Sequence, residues 1–172
     1  STNDTLLVLA NGASGAKQIT QAKGADYAKF VTALEHVCKT LALGIVEDGE
    51  GATHVVEIEV RGAPSDAAAK QVAQTIALSS LVKTAIAGAD PNWGRILAAA
   101  GRSGITFNPD HAEIWLGGIK MYGPPKGKSW SVALPLDEGA AHARLLEKNI
   151  PIVVDLHQGR GSARMWTCDF TA

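Results

Sequence analysis

The segment Leu43–Val60, LGIVEDGEGATHVVEIEV, decides how this chain is organised. Its first residues finish a long apolar helical stripe, its middle is acidic and broken by Gly49 and Gly51, and its end alternates apolar with charged side chains. Val56, Ile58 and Val60 fall on one side of an extended backbone and Glu57, Glu59 and Arg61 on the other, which predicts a strand with one buried and one wet face. A helix that turns into such a strand points to an α+β fold. Glu47, Asp48 and Glu50 stand where the helix runs out, the end at which the macrodipole disfavours anions by roughly 0.3–1 kcal/mol each near the surface. Lys or Arg would stabilise that end. The three carboxylates are therefore either a solvated loop or a place that receives a cationic ligand group.

Toward the N-terminus, Asp26 is a fitting helix N-cap, and Tyr27, Phe30, Val31, Leu34, Val37, Cys38, Leu41, Ala42 and Ile45 follow at helical spacing. This stripe predicts a helix lying on a sheet, with His36 beside it and Cys38 inside it as packing residues. Asp4–Asn11, DTLLVLAN, is a nearly unbroken apolar run and predicts a strand buried on both faces. Asn11–Gly15 then forms a loop without the Lys-Ser/Thr pair of a phosphate-binding cradle.

Toward the C-terminus, Ser65 predicts a cap for an alanine-rich helix, AAAKQVAQTIALSSLVKTAIAG, sandwiched between layers and stopped at Gly88. Asp90 and Pro91 predict the cap and first residue of a second helix reaching about Gly101. The corner Asp90, Asn92 and Arg95 reads either as this capped start with a buried Trp93 or as side chains aimed at a ligand or partner, the first being the simpler. Glu113–Leu116, Gly117-Gly118 and Ile119–Tyr122 predict a hairpin, with a loop at Gly123–Lys128 and a strand at Trp130–Leu134. Asp137 predicts a further helix cap, and Pro151–His157 and Ala163–Phe170 the last two strands.

Composition removes several functions. A formal charge of −1 over 172 residues lacks the electrostatic footprint of a nucleic-acid binder. No apolar run approaches the ~20 residues of a membrane span, and no signal peptide is visible. Cys38 and Cys168 lie far apart, which suits free thiols in the cytoplasm. His36, His54, His111, His142 and His157 form no pair at metal-ligand spacing, and neither a nucleophile elbow nor a dinucleotide fingerprint occurs. Ser1 or Thr2 as a terminal nucleophile conflicts with the buried strand expected to follow at once.

The phrases STNDTLLVLANGASG, VEDGEGATH, GADPNWGRILAAAGRSG and WTCDFT, in this order from Ser1 to Ala172, closely resemble the β chain of the bifunctional ornithine acetyltransferases of arginine biosynthesis, also called glutamate N-acetyltransferases. The resemblance implies a precursor that cuts itself before a Thr, which then heads the β chain as nucleophile. It takes the acetyl group of N2-acetyl-L-ornithine and passes it to L-glutamate, with an oxyanion hole supplied by the α chain. It implies an α2β2 heterotetramer in the cytoplasm, no metal and no cofactor, with acetyl-CoA left open as a co-substrate. It puts no catalytic residue in this chain, since the nucleophilic Thr is expected upstream of Ser1, and it assigns substrate binding to Glu50 of GEGAT. A carboxylate there suits the ammonium of ornithine or glutamate. Glu47 and Asp48 are then solvated neighbours.

The fold implied is α+β, part of an αββα sandwich of the ornithine acetyltransferase and DmpA-like kind plus a smaller α+β lobe. Residues 1–62 would belong to the sandwich, 63–150 to the smaller lobe, and 151–172 would lead back toward the first strands. Two other readings stay open: a related self-processing aminopeptidase, which releases acyl groups to water, and a non-catalytic fragment that only supports the α chain.

Overall fold

A computed structural model describes residues 5–128 and 134–170. The first two residues of the chain and Trp130–Ala133 of the expected strand lie outside the described residues. By its contacts the chain divides at Thr40 and Leu41, inside the long helix α1 (Ala25–Glu47).

In the first part the structure departs from expectation. Thr5–Asn11 forms no strand, and Leu6, Leu7, Val8 and Leu9 are exposed. An apolar run becomes a buried strand only when neighbouring strands satisfy its backbone and other elements cover its faces, and the described residues supply neither. α1 forms as its periodicity requires, but Asp26 sits inside its first turn rather than capping it. No residue of α1 is buried. Phe30 and Val37 are each 52 % exposed, so the stripe that should lie on a sheet is at the surface, and His36 and Cys38 are not core residues.

The second part is built around one sheet. β1 (Val55–Ala63) lies between β4 (Asn149–Asp155), which runs parallel to it, and β5 (Gly161–Cys168), which runs antiparallel. β2 (Glu113–Leu116) pairs antiparallel with β4, and β3 (Ile119–Tyr122) completes the hairpin, giving the order β3-β2-β4-β1-β5. The strands that the expected parts 1–62, 63–150 and 151–172 would distribute among lobes are thus neighbours here. The α+β class holds, whereas a second sheet, which an αββα sandwich needs, is not among the described residues.

Alternation sorts the two faces. Val56, Ile58, Val60, Ile114, Leu116, Ile152 and Val154 form the core, almost all without exposed surface. α2 (Asp66–Ala77) lies over β1 and β5 and offers Ala68, Ala69, Val72, Ala73 and Ile76, small enough for close approach, while α4 (Trp93–Gly101) packs on α2 and β2. The opposite face is polar and half-buried. Arg164 pairs with Glu59 at 2.9 Å, Arg61 with Asp155 at 2.8 Å, and Trp115 lies between the guanidinium of Arg61 and the ammonium of Lys120, 5.1 and 5.2 Å from its ring centre.

Caps decide the helix boundaries. Ser65 and Asp137 cap α2 and α5 (Glu138–Leu145) by accepting from the Ala68 and Ala140 N–H groups, as expected. The alanine-rich helix is in fact two, because Ser79 ends the run and caps α3 (Ser80–Ala87) through Val82 N–H at 3.4 Å. Gly88 ends α3 with φ −87°, and it is Ala89 that takes the left-handed turn, braced by His142 Nδ1–H donating to its carbonyl at 2.8 Å. Asn92 rather than Asp90 caps α4.

The break at Ser79 gives a prediction whose sign separates the two arrangements. In a continuous helix Ser79→Ala would stabilise the protein slightly. With Ser79 buried as a cap, the same change should destabilise by about 1 kcal/mol, while exposed Ser80→Ala stays within about 0.5 kcal/mol, as read from urea unfolding.

Candidate functional site

After α1 the backbone makes a compact turn. Asp48 N–H still closes on Gly44 O at 3.0 Å, and Ala52 N–H returns to Gly49 O at 2.9 Å, so Glu50 and Gly51 occupy the tip of a four-residue turn. Gly51 has φ +71°, a conformation L-residues rarely take, as such a turn demands at its third position. Gly49 is closely packed: a Cβ there would lie 3.2 Å from Cys168 Sγ and 3.3 Å from Val46 O, tighter than ordinary van der Waals contact. The GEG of the sequence is thus two different constraints around one carboxylate.

That carboxylate is free. Glu50 is exposed and, among the described residues, makes no hydrogen bond or ion pair. Glu47 faces Lys148 at 3.9 Å across exposed surface, a weak interaction in water, and Asp48 is exposed. The C-terminal pole of α1 and three carboxylates make this end attractive to cations.

Against the residues just after the turn lies the most tightly held acid among the described residues. Asp169 has no exposed side-chain surface. Its Oδ1 accepts from the backbone N–H groups of Thr53 and His54, both at 2.9 Å. Its Oδ2 accepts from Thr53 Oγ1 at 2.6 Å and His54 Nδ1 at 2.8 Å. An ionised carboxylate only accepts, so the proton of the neutral imidazole is on Nδ1. Burial alone would push the Asp169 carboxyl up, but the bonds from the His54 and Thr53 side chains and from both backbone N–H groups outweigh it and lower the value from 3.8 to about 2. Next to it, Cys168 lies under Gly49 with Lys83 Nζ 3.9 Å from its sulfur, and the same ammonium stands over the Phe170 ring at 5.2 Å.

Other candidates are spent on structure. Asp90 accepts from Asn92 Nδ2 at 3.0 Å, and Arg95 turns back to Leu81 O and Thr84 Oγ1 at 3.0 and 3.3 Å. Trp93 stacks on Tyr122 at 4.6 Å between ring centres. Lys120 is held by Glu113 and by Pro124 O, and His157 bonds the other oxygen of Glu113 at 2.9 Å. Among the described residues no three of His, Cys, Asp and Glu gather as a metal site, and no helix is long and apolar enough to cross a membrane. The Glu50 turn is legible in the sequence, whereas Asp169, Thr53 and His54 as its support are not. The available signal is an aspartate just beyond the alternating residues of β5.

The α+β arrangement recurs in a solved structure, the crystal structure of arginine biosynthesis bifunctional protein argJ from Bacillus halodurans. It superposes with a TM-score of 0.88 at 42 % identity, covering 99 % of this chain and 78 % of that one. The chain belongs to the ArgJ family, whose model matches residues 1–172. Proteins named arginine biosynthesis bifunctional protein ArgJ are 44 % identical in Thermosynechococcus vestitus and in Thermotoga neapolitana and 45 % in Brucella melitensis. Each match covers 99 % of this chain but 43, 42 and 41 % of the relative, so the chain spans about two fifths of their length.

The lowered Asp169 value carries a pH prediction. A folded-state pKa of about 2 against 3.8 means the bonds stabilise the fold fully above pH ~4, and that this is lost as pH falls through about 2. Urea unfolding between pH 5 and pH 2 should show wild type losing about 2 kcal/mol more than Asp169→Asn. Equal losses would mean the carboxylate is not held by these donors.

Proposed function

We propose that this chain is the β-chain portion of a bifunctional ornithine acetyltransferase, in which Glu50 binds the ammonium group of the amino-acid substrates. The reaction moves the acetyl group of N2-acetyl-L-ornithine to L-glutamate through an acyl-threonine on a residue outside this chain. What supports the chemistry is membership of a family whose relatives are named for arginine biosynthesis and bifunctionality. What supports the role of Glu50 is one observation: a carboxylate with no hydrogen-bond or ion-pair partner among the described residues, at the tip of a tightly held turn and at the electronegative end of a helix. A substrate ammonium would complete it with a charge-assisted hydrogen bond.

Glu50 binds and orients in this scheme and moves no proton. The acyl group is transferred in two steps, onto the threonine and from it to the incoming amine, and each step needs the amino acid held with its reacting atom against the nucleophile. Acetyl-CoA as a second donor is compatible with the same acyl-enzyme. The apolar stripe of α1 supports an α chain as partner: Phe30, Val37, Leu41 and Ile45 are exposed side by side at helical spacing, as expected of a face that another polypeptide covers. The αββα sandwich, the α2β2 assembly and a cytoplasmic location belong to the same proposal.

The test is made in the complete enzyme. Among the described residues replacing exposed Glu50 removes no hydrogen bond or ion pair, so Glu50→Gln should leave folding stability within about 1 kcal/mol. Losing a charge-assisted contact should lower kcat/KM about ten- to hundredfold for both amino acids. Glu47→Gln, one turn away, should be nearly silent. Full activity in Glu50→Gln, or loss of activity in Glu47→Gln instead, would withdraw the assignment.

A further inference from the structure

Among the described residues Glu50 makes no hydrogen bond or ion pair that would fix it, so its direction is inherited from the backbone of the Gly49–Ala52 turn. One internal bond, Ala52 N–H to Gly49 O, closes that turn, and a single bond does not orient a surface turn. Its two ends do. The upstream end follows from α1 and from Gly49 resting on Cys168. The downstream end, Thr53–His54, is taken up entirely by Asp169, whose two oxygens receive two backbone and two side-chain donors between 2.6 and 2.9 Å.

We propose that Asp169 is a positioning residue for Glu50: by capturing both N–H groups and both side chains of Thr53–His54, it sets the direction in which the turn presents the Glu50 carboxylate to a substrate ammonium. This rests on the reading of Glu50 as substrate ligand. A carboxylate is needed because two donors converge on each of its oxygens, and an ionised carboxylate accepts at both. Asparagine of the same shape keeps one acceptor and turns an NH2 toward two donors. The clamp stays ionised throughout the neutral range, so it is a permanent support. Asp169 has no exposed side-chain surface and touches no substrate in this scheme, so its whole effect must pass through the turn.

A double-mutant cycle in the complete enzyme, assayed well below the melting temperature of every variant, tests this. Glu50→Gln should raise KM for N-acetylornithine and for glutamate about tenfold or more. Asp169→Asn should raise both about fivefold, with kcat changed less than about threefold. The double variant should bind no worse than Glu50→Gln alone, because the support no longer matters once the supported group is gone. Thr53→Val removes one donor at constant shape and should raise KM about twofold. It replaces Asp169→Asn in the cycle if that variant does not fold. A merely structural role predicts unchanged KM in folded Asp169→Asn, or effects that multiply in the double variant, and either result overturns the proposal. Unchanged KM in Glu50→Gln overturns the substrate reading itself and this inference with it.

Discussion

A carboxylate without exposed surface must find its hydrogen-bond donors or lose its charge, and the cost of failing is several kcal/mol. Asp169 meets this requirement with two residues 116 and 115 positions away. The contact therefore ties the end of β5 to the turn before β1. The ladder prepares the contact: Val55 stands opposite Cys168, and Asp169 N–H continues the pairing to His54 O at 3.4 Å. A one-residue slip of β5 would turn Asp169 to the other face of the sheet. The register of an edge strand thus controls the geometry of a turn that carries an exposed acid, and the shift in pairing between Val60 and Ala63 is kept to the far end of the same strand pair.

What the sequence made legible was local. The hairpin at Gly117-Gly118, the caps Ser65 and Asp137, and the alternation of β1 each lie within a few residues of their cause. The Glu50 turn was equally visible, since two glycines among acids after a helical stripe admit few structures. Asp169 was not, because its reason for being an aspartate lies at the other end of the chain, and a lone acid near a strand's end has many innocent explanations. At Ser79 an apolar pattern continues through the break, and the two helices are told from one by the extended backbone of Ser79 and its cap bond. At Asp90–Asn92 two good caps flank Pro91, and sequence does not choose between them.

The N-terminal run Thr5–Asn11 and the α1 stripe fail in another way. Their patterns state what should be covered without stating by what. Hydrophobic periodicity measures a demand for burial, and the described residues leave Leu6, Leu9, Leu41 and Ile45 each more than half exposed. The polar face of the sheet is different. There Glu57 takes the Trp166 indole N–H at 2.9 Å and Arg164 reaches Glu59, so its charges are balanced within the chain.

The strand order has a consequence for the newborn chain. Among the described residues β1 comes first in sequence and ends between the last two strands, with Val55 opposite both Asn149 and Cys168. Its partners β4 and β5 leave the ribosome only after roughly a hundred further residues, and sheets completed by such distant segments form slowly. During that wait α2, which follows directly and packs on β1, can shelter its apolar side. Glu57 and Glu59 place a negative charge at every second position of the exposed side and discourage pairing with another copy. The charges that later meet Trp166 and Arg164 have by then already served as the strand's protection against aggregation.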